Sequence, residues 1–370
     1  MDKEIMRAEG ILQETPFLEE REVVKEQNGQ LPVAKHIAQL HEQAQQDLLH
    51  RDWEKAAAEF QQLIELEGPG EEVLSGLAHV LEGAGRYEQL LSVAEELLSL
   101  TPTSAIGLAY KARALQKLER LSEATIANDQ ALLLDKNLPL AWVNRSGLQL
   151  LQQKFADALR SAQRAVELND EDARAWANKG MALLNFEHNI EALEAFDRSL
   201  ACDPAFLFSL QMKGQVLCQM GRMKDAAENA LQALKLSPSD VPSLTQAAMA
   251  FRALEMYSNL KDVTEELIKH LPDSLFAWEN YMRSRRGLGE YEEANTALDH
   301  VLELDPANVR FWTMKADTLY RLERYREAVN AAERAVRIDQ DYPPARRIRE
   351  KAVRLMYQRK ERRGSIHKQP

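Results

Sequence analysis

The stretch AWANKGMALLNFEHNIEALEAFDRSLACDP (residues 175–204) and the later stretch FAWENYMRSRRGLGEYEEANTALDHVLELDP (276–306) decide the architecture. Both carry Trp, then a turn, then Ala and a closing Asp-Pro at matching intervals. Working outward in steps of 34 from Ile37 gives Glu71, Ala105, Pro139, Ala173, Leu207, Val241, Leu275 and Val309. The ninth unit closes at Tyr342, with no insertion or deletion in any unit. A period of this length held over most of a chain marks a repeat array.

Each column of the repeat has a physical reason. The fourth place is large and apolar throughout: Leu40, Leu74, Leu108, Trp142, Trp176, Leu210, Leu244, Trp278 and Trp312. Such a residue fills the space between two antiparallel helices. The eighth place is small except at Met282, and the twentieth is Ala except at Leu90 and Leu260. Small side chains there let helix axes approach closely. Gly85, Gly221 and Gly289 stand at the fifteenth place, where the first helix must turn. Pro102, Pro204, Pro238, Pro272 and Pro306 stand at the thirty-second and end the second helix. No hairpin of this kind buries its own apolar face, so neighbours must stack.

Over residues 37–342 these columns resemble the tetratricopeptide family's pattern of Trp, Leu-Gly, Tyr, Ala, Phe, Ala and Pro. The resemblance implies an all-α fold, a right-handed superhelical solenoid of antiparallel helical hairpins with the first helix of each lining the inner face. Asn128, Asn189 and Met282 depart from the pattern, as does His270 near a helix end, and less regular packing is expected between the seventh and eighth repeats.

Composition agrees with a helical, globular chain: 45% hydrophobic, 28% charged, and only 15 Gly and 13 Pro. The net charge of −11 argues against general nucleic-acid binding, which needs clustered cations. It is unevenly placed. Residues 343–370 hold ten Lys or Arg against two Glu, hence +8, leaving −11 − 8 = −19 for residues 1–342. Cys202 and Cys218 have neither zinc nor redox spacing and suit a reducing compartment. A charged N-terminus and the absence of a long apolar run predict a cytoplasmic protein with no membrane span.

Residues 1–36 are expected to be a helical extension that caps the first hairpin, or alternatively an arm lying in the groove; Pro32 is read as a break before the first repeat. Residues 343–370 are expected to form a basic capping helix from about Pro343 to Lys360, with Ile348, Ala352, Leu355 and Met356 turned to the ninth repeat. Its outward cations, Arg346, Arg347, Arg349, Arg359, Arg362 and Arg363, offer a surface for a second, acidic partner or for nucleic acid.

On each first helix, places 2, 6, 9 and 13 share a face, which the resemblance makes the concave one. The sixth place reads Asn144, Asn178, Met212, Gln246 and Asn280 in successive repeats. An amide offers both donor and acceptor to a peptide backbone. This partial ladder resembles the Asn ladder of O-linked N-acetylglucosamine transferases, which implies peptide binding at Asn144, Asn178 and Asn280; the alternative is ordinary polar side chains on a solvated face. Met181, Phe208, Met249, Phe276 and Met314 add apolar anchors, or else are buried between hairpins. Arg252, Arg283, Arg286, Arg310 and Arg321 add positive charge towards the C-terminal half. The carboxylate clamp of chaperone adaptors is incomplete, with Ala109 and Arg113 in its first repeat.

No catalytic constellation, cofactor loop or metal set is found; His41 and His79 make at most two ligands. The expected function is therefore a non-catalytic scaffold or adaptor that binds a protein or peptide segment in the groove. A peptide-responsive regulatory receptor is the alternative, although 36 residues leave no room for an effector domain.

Overall fold

The computed structural model describes the backbone of residues 31–366 and the side chains of residues 33–358. Most of the expected N-terminal cap, up to residue 30, lies outside the described residues. Among them are nineteen helices and no strand. They fall into two compact units, Met1–Pro204 and Ala205–Pro370.

The first unit holds five hairpins: α1 (Leu31–Leu49) with α2 (Trp53–Glu67), α3 (Glu71–Gly83) with α4 (Tyr87–Leu100), α5 (Ala105–Lys117) with α6 (Leu121–Leu134), α7 (Pro139–Leu151) with α8 (Phe155–Leu168), and α9 (Ala173–Leu184) with α10 (Asn189–Cys202). The second holds four: α11 (Leu207–Gln219) with α12 (Met223–Leu236), α13 (Val241–Ala253) with α14 (Tyr257–His270), α15 (Leu275–Gly287) with α16 (Tyr291–Leu304), and α17 (Val309–Arg321) with α18 (Tyr325–Ile338). The last helix is α19 (Pro343–Ile366). From α3 onward every first helix opens on the register read from the sequence. Only α1 starts early. Pro32 lies in its first turn, where a missing N–H costs nothing, rather than breaking the chain ahead of it.

The packing columns are buried as their residue types require. All nine residues at the eighth place are buried, and all nine at the twentieth have no exposed surface. A Cβ on Gly180 would stand 2.7 Å from the Phe196 ring, so only glycine admits that ring. Met282, the odd residue of its column, is fully buried and shares a core cluster with Leu298, Val301 and Phe311. The cluster accommodates the longer side chain, as the flexibility of Met allows. Truncating a wholly buried Leu such as Leu97 or Leu260 to Ala costs about 2–5 kcal/mol.

Two local devices close the hairpins. At all nine fifteenth places φ is positive, yet only Gly85, Gly221 and Gly289 are glycine; Arg51, Glu119, Gln153, Glu187, Glu255 and Glu323 adopt the same left-handed turn. The four tryptophans at the fourth place donate their indole N–H to the turn six residues earlier: Trp142 to Lys136 O, Trp176 to Asp170 O, Trp278 to Pro272 O and Trp312 to Pro306 O.

In the second unit α19 begins where a tenth repeat would open. Its Ile348 and Ala352 are buried in one cluster with Ala316, Leu319, Ala328 and Val329 of the ninth hairpin, while Leu355 and Met356 are half-buried. The helix runs beyond the expected end at Lys360, to Ile366.

Candidate functional site

Within the first unit, the first-helix face is occupied by its own charges. Glu82, at the end of α3, is buried and lies 2.9 Å from Arg113 on α5. It also pairs with Arg174 on α9, and Arg174 is held in turn by Asp172 at 2.9 Å. Burial pushes the Glu82 carboxyl up, but the Arg174 and Arg113 guanidiniums, with His79, outweigh it and hold the group below its ordinary range. Asp172 behaves alike: burial raises it, and Arg174 pulls it further down through charge and hydrogen bonds. Asp172 also caps α9 by accepting from Arg174 N. At the edge of the same unit Arg51 reaches Asp203 at 2.9 Å.

The amides at the sixth place have an internal use. Asn144 is fully buried and donates to Ala109 O at 2.9 Å. Asn178 donates to Val143 O and Ser146 Oγ, and Gln246 to Gln211 O. In each case the acceptor belongs to the first helix one repeat earlier, so the amides staple successive helices. Asn280 is also buried and donates within its own helix, to Phe276 O. The peptide-facing expectation is corrected for Asn144, Gln246 and Asn280, which are buried; Asn178 is half-buried, and its Nδ2 donates to Val143 O and Ser146 Oγ. A mid-helix carbonyl has a free lone pair, and closely approaching first helices put the amide within its reach.

The second unit presents a different face. Two neighbouring concavities, of about 400 and 450 Å³, lie along its first helices and share Arg283, Arg286 and Met314. One extends to Arg252, Glu255, Tyr257, Tyr291 and Arg321. The other extends to Arg310 and Thr313, and then to Tyr342, Arg347, Ile348 and Lys351 of α19 and its approach. Each of the five arginines expected in the groove lines one or both of these concavities. Places 2, 5, 6, 9, 12 and 13 supply most of the lining, which is one helical face.

Arg286 is tied to Asp317, 2.5 Å away, and Arg321 meets the same carboxylate at 3.0 Å. Burial lowers Arg286, with Asp317 opposing and Arg321 adding to the depression. Its Nε is buried without a hydrogen-bond partner. Arg283 pairs with Glu279 at 2.7 Å, and Arg252 reaches only Asn280 Oδ1, at 3.4 Å. Arg310, Arg347 and Lys351 are exposed and have no ion-pair partner among the described residues.

Of the expected apolar anchors, Met314 lines both concavities; Met181, Met212, Met249 and Phe276 are half-buried and Phe208 is exposed, and none of these five lines either. The basic C-terminal surface and the groove, separate in the sequence reading, meet at Arg347. Arg346 pairs with Asp341, Arg349 is half-buried, and the side chains of Arg359, Arg362 and Arg363 lie outside those described. Lys351, missed as a site residue, falls at the ninth place if the 34-residue register is carried one step past Tyr342. Among the described residues no group of His, Cys, Asp and Glu is placed to hold a metal, and no helix is long and apolar enough to cross a membrane.

Comparison with known proteins bears on this arrangement. Two tetratricopeptide-repeat family models match, over residues 148–205 and 286–352. The chain is 21% identical over 290 residues to the DnaJ homolog subfamily C member 7 homolog of Schizosaccharomyces pombe, covering 72% of this chain and 56% of that protein. It is 24% identical to Hsp70-Hsp90 organizing protein 2 of Arabidopsis thaliana, over 50% of this chain and 31% of that one. The chain thus spans about half, or less, of the length of these relatives. The solved structure of Pseudomonas aeruginosa PilF superposes with a TM-score of 0.50 at 19% identity, covering 56% of this chain and 95% of that one, which speaks for the fold alone.

Proposed function

We propose that this chain, which belongs to the tetratricopeptide-repeat family, acts as a non-catalytic, cytoplasmic interaction scaffold that holds an acidic segment of a partner protein in the second unit's groove. The observation that carries the reading is the surplus of cations on that face. Among the described residues Arg252, Arg310, Arg347 and Lys351 have no ion-pair partner, whereas the corresponding face of the first unit is satisfied by Glu82 and Asp172. Arg suits such a site because its planar fork binds a carboxylate with two parallel hydrogen bonds. Met314 and Ile348 supply an apolar floor for a neighbouring side chain. One relative, of Arabidopsis thaliana, is named Hsp70-Hsp90 organizing protein 2, and an organising role of that kind fits a scaffold without identifying the cargo.

The test uses immobilised degenerate peptides of about ten residues carrying either three glutamates or three glutamines. The full chain is expected to be retained by the glutamate column and released by salt, as partly exposed ion pairs are screened. Arg252→Ala with Arg310→Ala is expected to lower retention while leaving the melting curve unchanged. Equal retention on the two columns would sink the reading.

A further inference from the structure

We infer that the end of the groove built with α19 is a phosphate subsite, so that the bound segment is a phosphorylated peptide; this rests on the peptide-binding reading above. Three cations with no ion-pair partner among the described residues line the 400 Å³ concavity: Arg310 from α17, and Arg347 and Lys351 from α19. They come from two helices fixed against each other by the buried Ile348 and Ala352 cluster. Their positions are therefore set by the core rather than by a loop. Asp317, the acidic side chain in the same concavity, is already engaged by Arg286 and Arg321.

The charge of the occupant follows from this inventory. A single carboxylate neutralises one cation and leaves two facing each other. A phosphate monoester carries about −1.5 to −2 charges at neutral pH and three acceptor oxygens, and can engage all three. Arg is suited to the fork-like contact and Lys to a point contact with the remaining oxygen. Tyr342 and Met314 flank the cations and give room for the flanking residues of a peptide, which a free phosphate ion would leave uncovered. The other concavity, where Arg286 and Arg321 share Asp317, lacks such a cluster of unpaired cations and takes the less charged part of the segment.

The experiment compares retention of the full chain on three immobilised degenerate peptide libraries whose central residue is phosphoserine, glutamate or serine. Retention by the phosphoserine library is expected to exceed that by the glutamate library about tenfold, because the phosphate brings more negative charge than a carboxylate and a third acceptor oxygen. Arg347→Gln with Lys351→Gln is expected to abolish that difference and to lower retention by the glutamate library only in part, the remainder being held through Arg252 and Arg310. Both positions are exposed, and an unchanged thermal melt verifies the fold of the variant. Equal retention by the phosphoserine and glutamate libraries overturns the phosphate subsite and leaves the acidic-groove reading standing. Retention by neither overturns both. A preference that survives the double substitution places phosphate elsewhere and also overturns the inference.

Discussion

The two units put the same face of the same repeat to different uses. In the first, the twelfth place of α3, the ninth of α5 and the second of α9 carry Glu82, Arg113 and Arg174, and these close on one another. In the second, the twelfth places of α13 and α15 carry Arg252 and Arg286, the ninth of α15 carries Arg283, and the second of α17 carries Arg310. The helices are equivalent; the charge balance is not. A face that finds both signs within itself becomes part of the protein's own structure. One that carries an excess of one sign keeps unspent hydrogen-bonding capacity for something else. The repeat thus determines where the face lies, and a few side chains per unit decide whether its charges are satisfied internally or left in excess.

The largest effect expected from breaking this contrast is at Glu82. Glu82→Gln removes the buried negative charge and leaves Arg174 and Arg113 without it, and losing one partner of a buried ion pair costs about 3–5 kcal/mol. Chemical denaturation followed by far-UV circular dichroism is expected to show an earlier transition for the first unit. The contribution also depends on pH. The folded-state pKa of Glu82 is depressed below its ordinary 4.5, so its stabilisation is fully present above that value and is lost as pH falls through the folded pKa. In the variant that acid-dependent component is absent. A Glu82→Gln protein as stable as the parent would show that the ionic joint contributes nothing, and the contrast between the units would fail.

A smaller effect separates staples from ligand contacts. Asn144→Ala is expected to destabilise the first unit by about 1–3 kcal/mol, because its buried bond to Ala109 O is lost. Retention on the glutamate peptides described above is expected to stay as it was. Loss of retention with no loss of stability would restore Asn144 as a ligand contact.

This is also where legibility in the sequence ended. The hairpins were readable because a 34-residue period fixes which residues recur, and recurrence of Ala56, Ala124 and Ala158 in one column implies close approach without knowledge of the coordinates. The groove arginines were readable because helical spacing alone puts Arg283 and Arg286 on one face. The use of Asn144 was not, because an amide on that face can meet either a ligand or the neighbouring helix, and the choice turns on an interhelical distance. The joint of Glu82 with Arg174 was less accessible still. The two residues lie 92 apart, and their meeting depends on how successive hairpins rotate within the unit, a quantity no column of the repeat contains. At the other end, Lys351 went unread because the repeat count stopped at Tyr342, although α19 continues the same register into the groove.

The smallest effect expected bears on the turns, which the two units share. Glu119 in the first unit and Glu255 in the second both sit in the left-handed region, with φ of 62° and 57°. An L-residue pays about 1–2 kcal/mol for that conformation, and glycine loses about 0.5–1 kcal/mol in backbone entropy on folding instead. Replacement by Gly, the residue that Gly85, Gly221 and Gly289 already place at the equivalent turn, is therefore expected to stabilise by about 0.5–1 kcal/mol at either position. The two substitutions are expected to part company in binding. Glu255 borders the arginine-lined concavity, so Glu255→Gly also removes a negative charge from beside Arg252 and Arg286 and should strengthen retention on the glutamate peptides. Glu119→Gly should raise the melting temperature and leave retention unchanged. If both raise stability and neither alters retention, the charge at the groove's edge does not govern its ligand, and the difference between the units lies only in how each is held together.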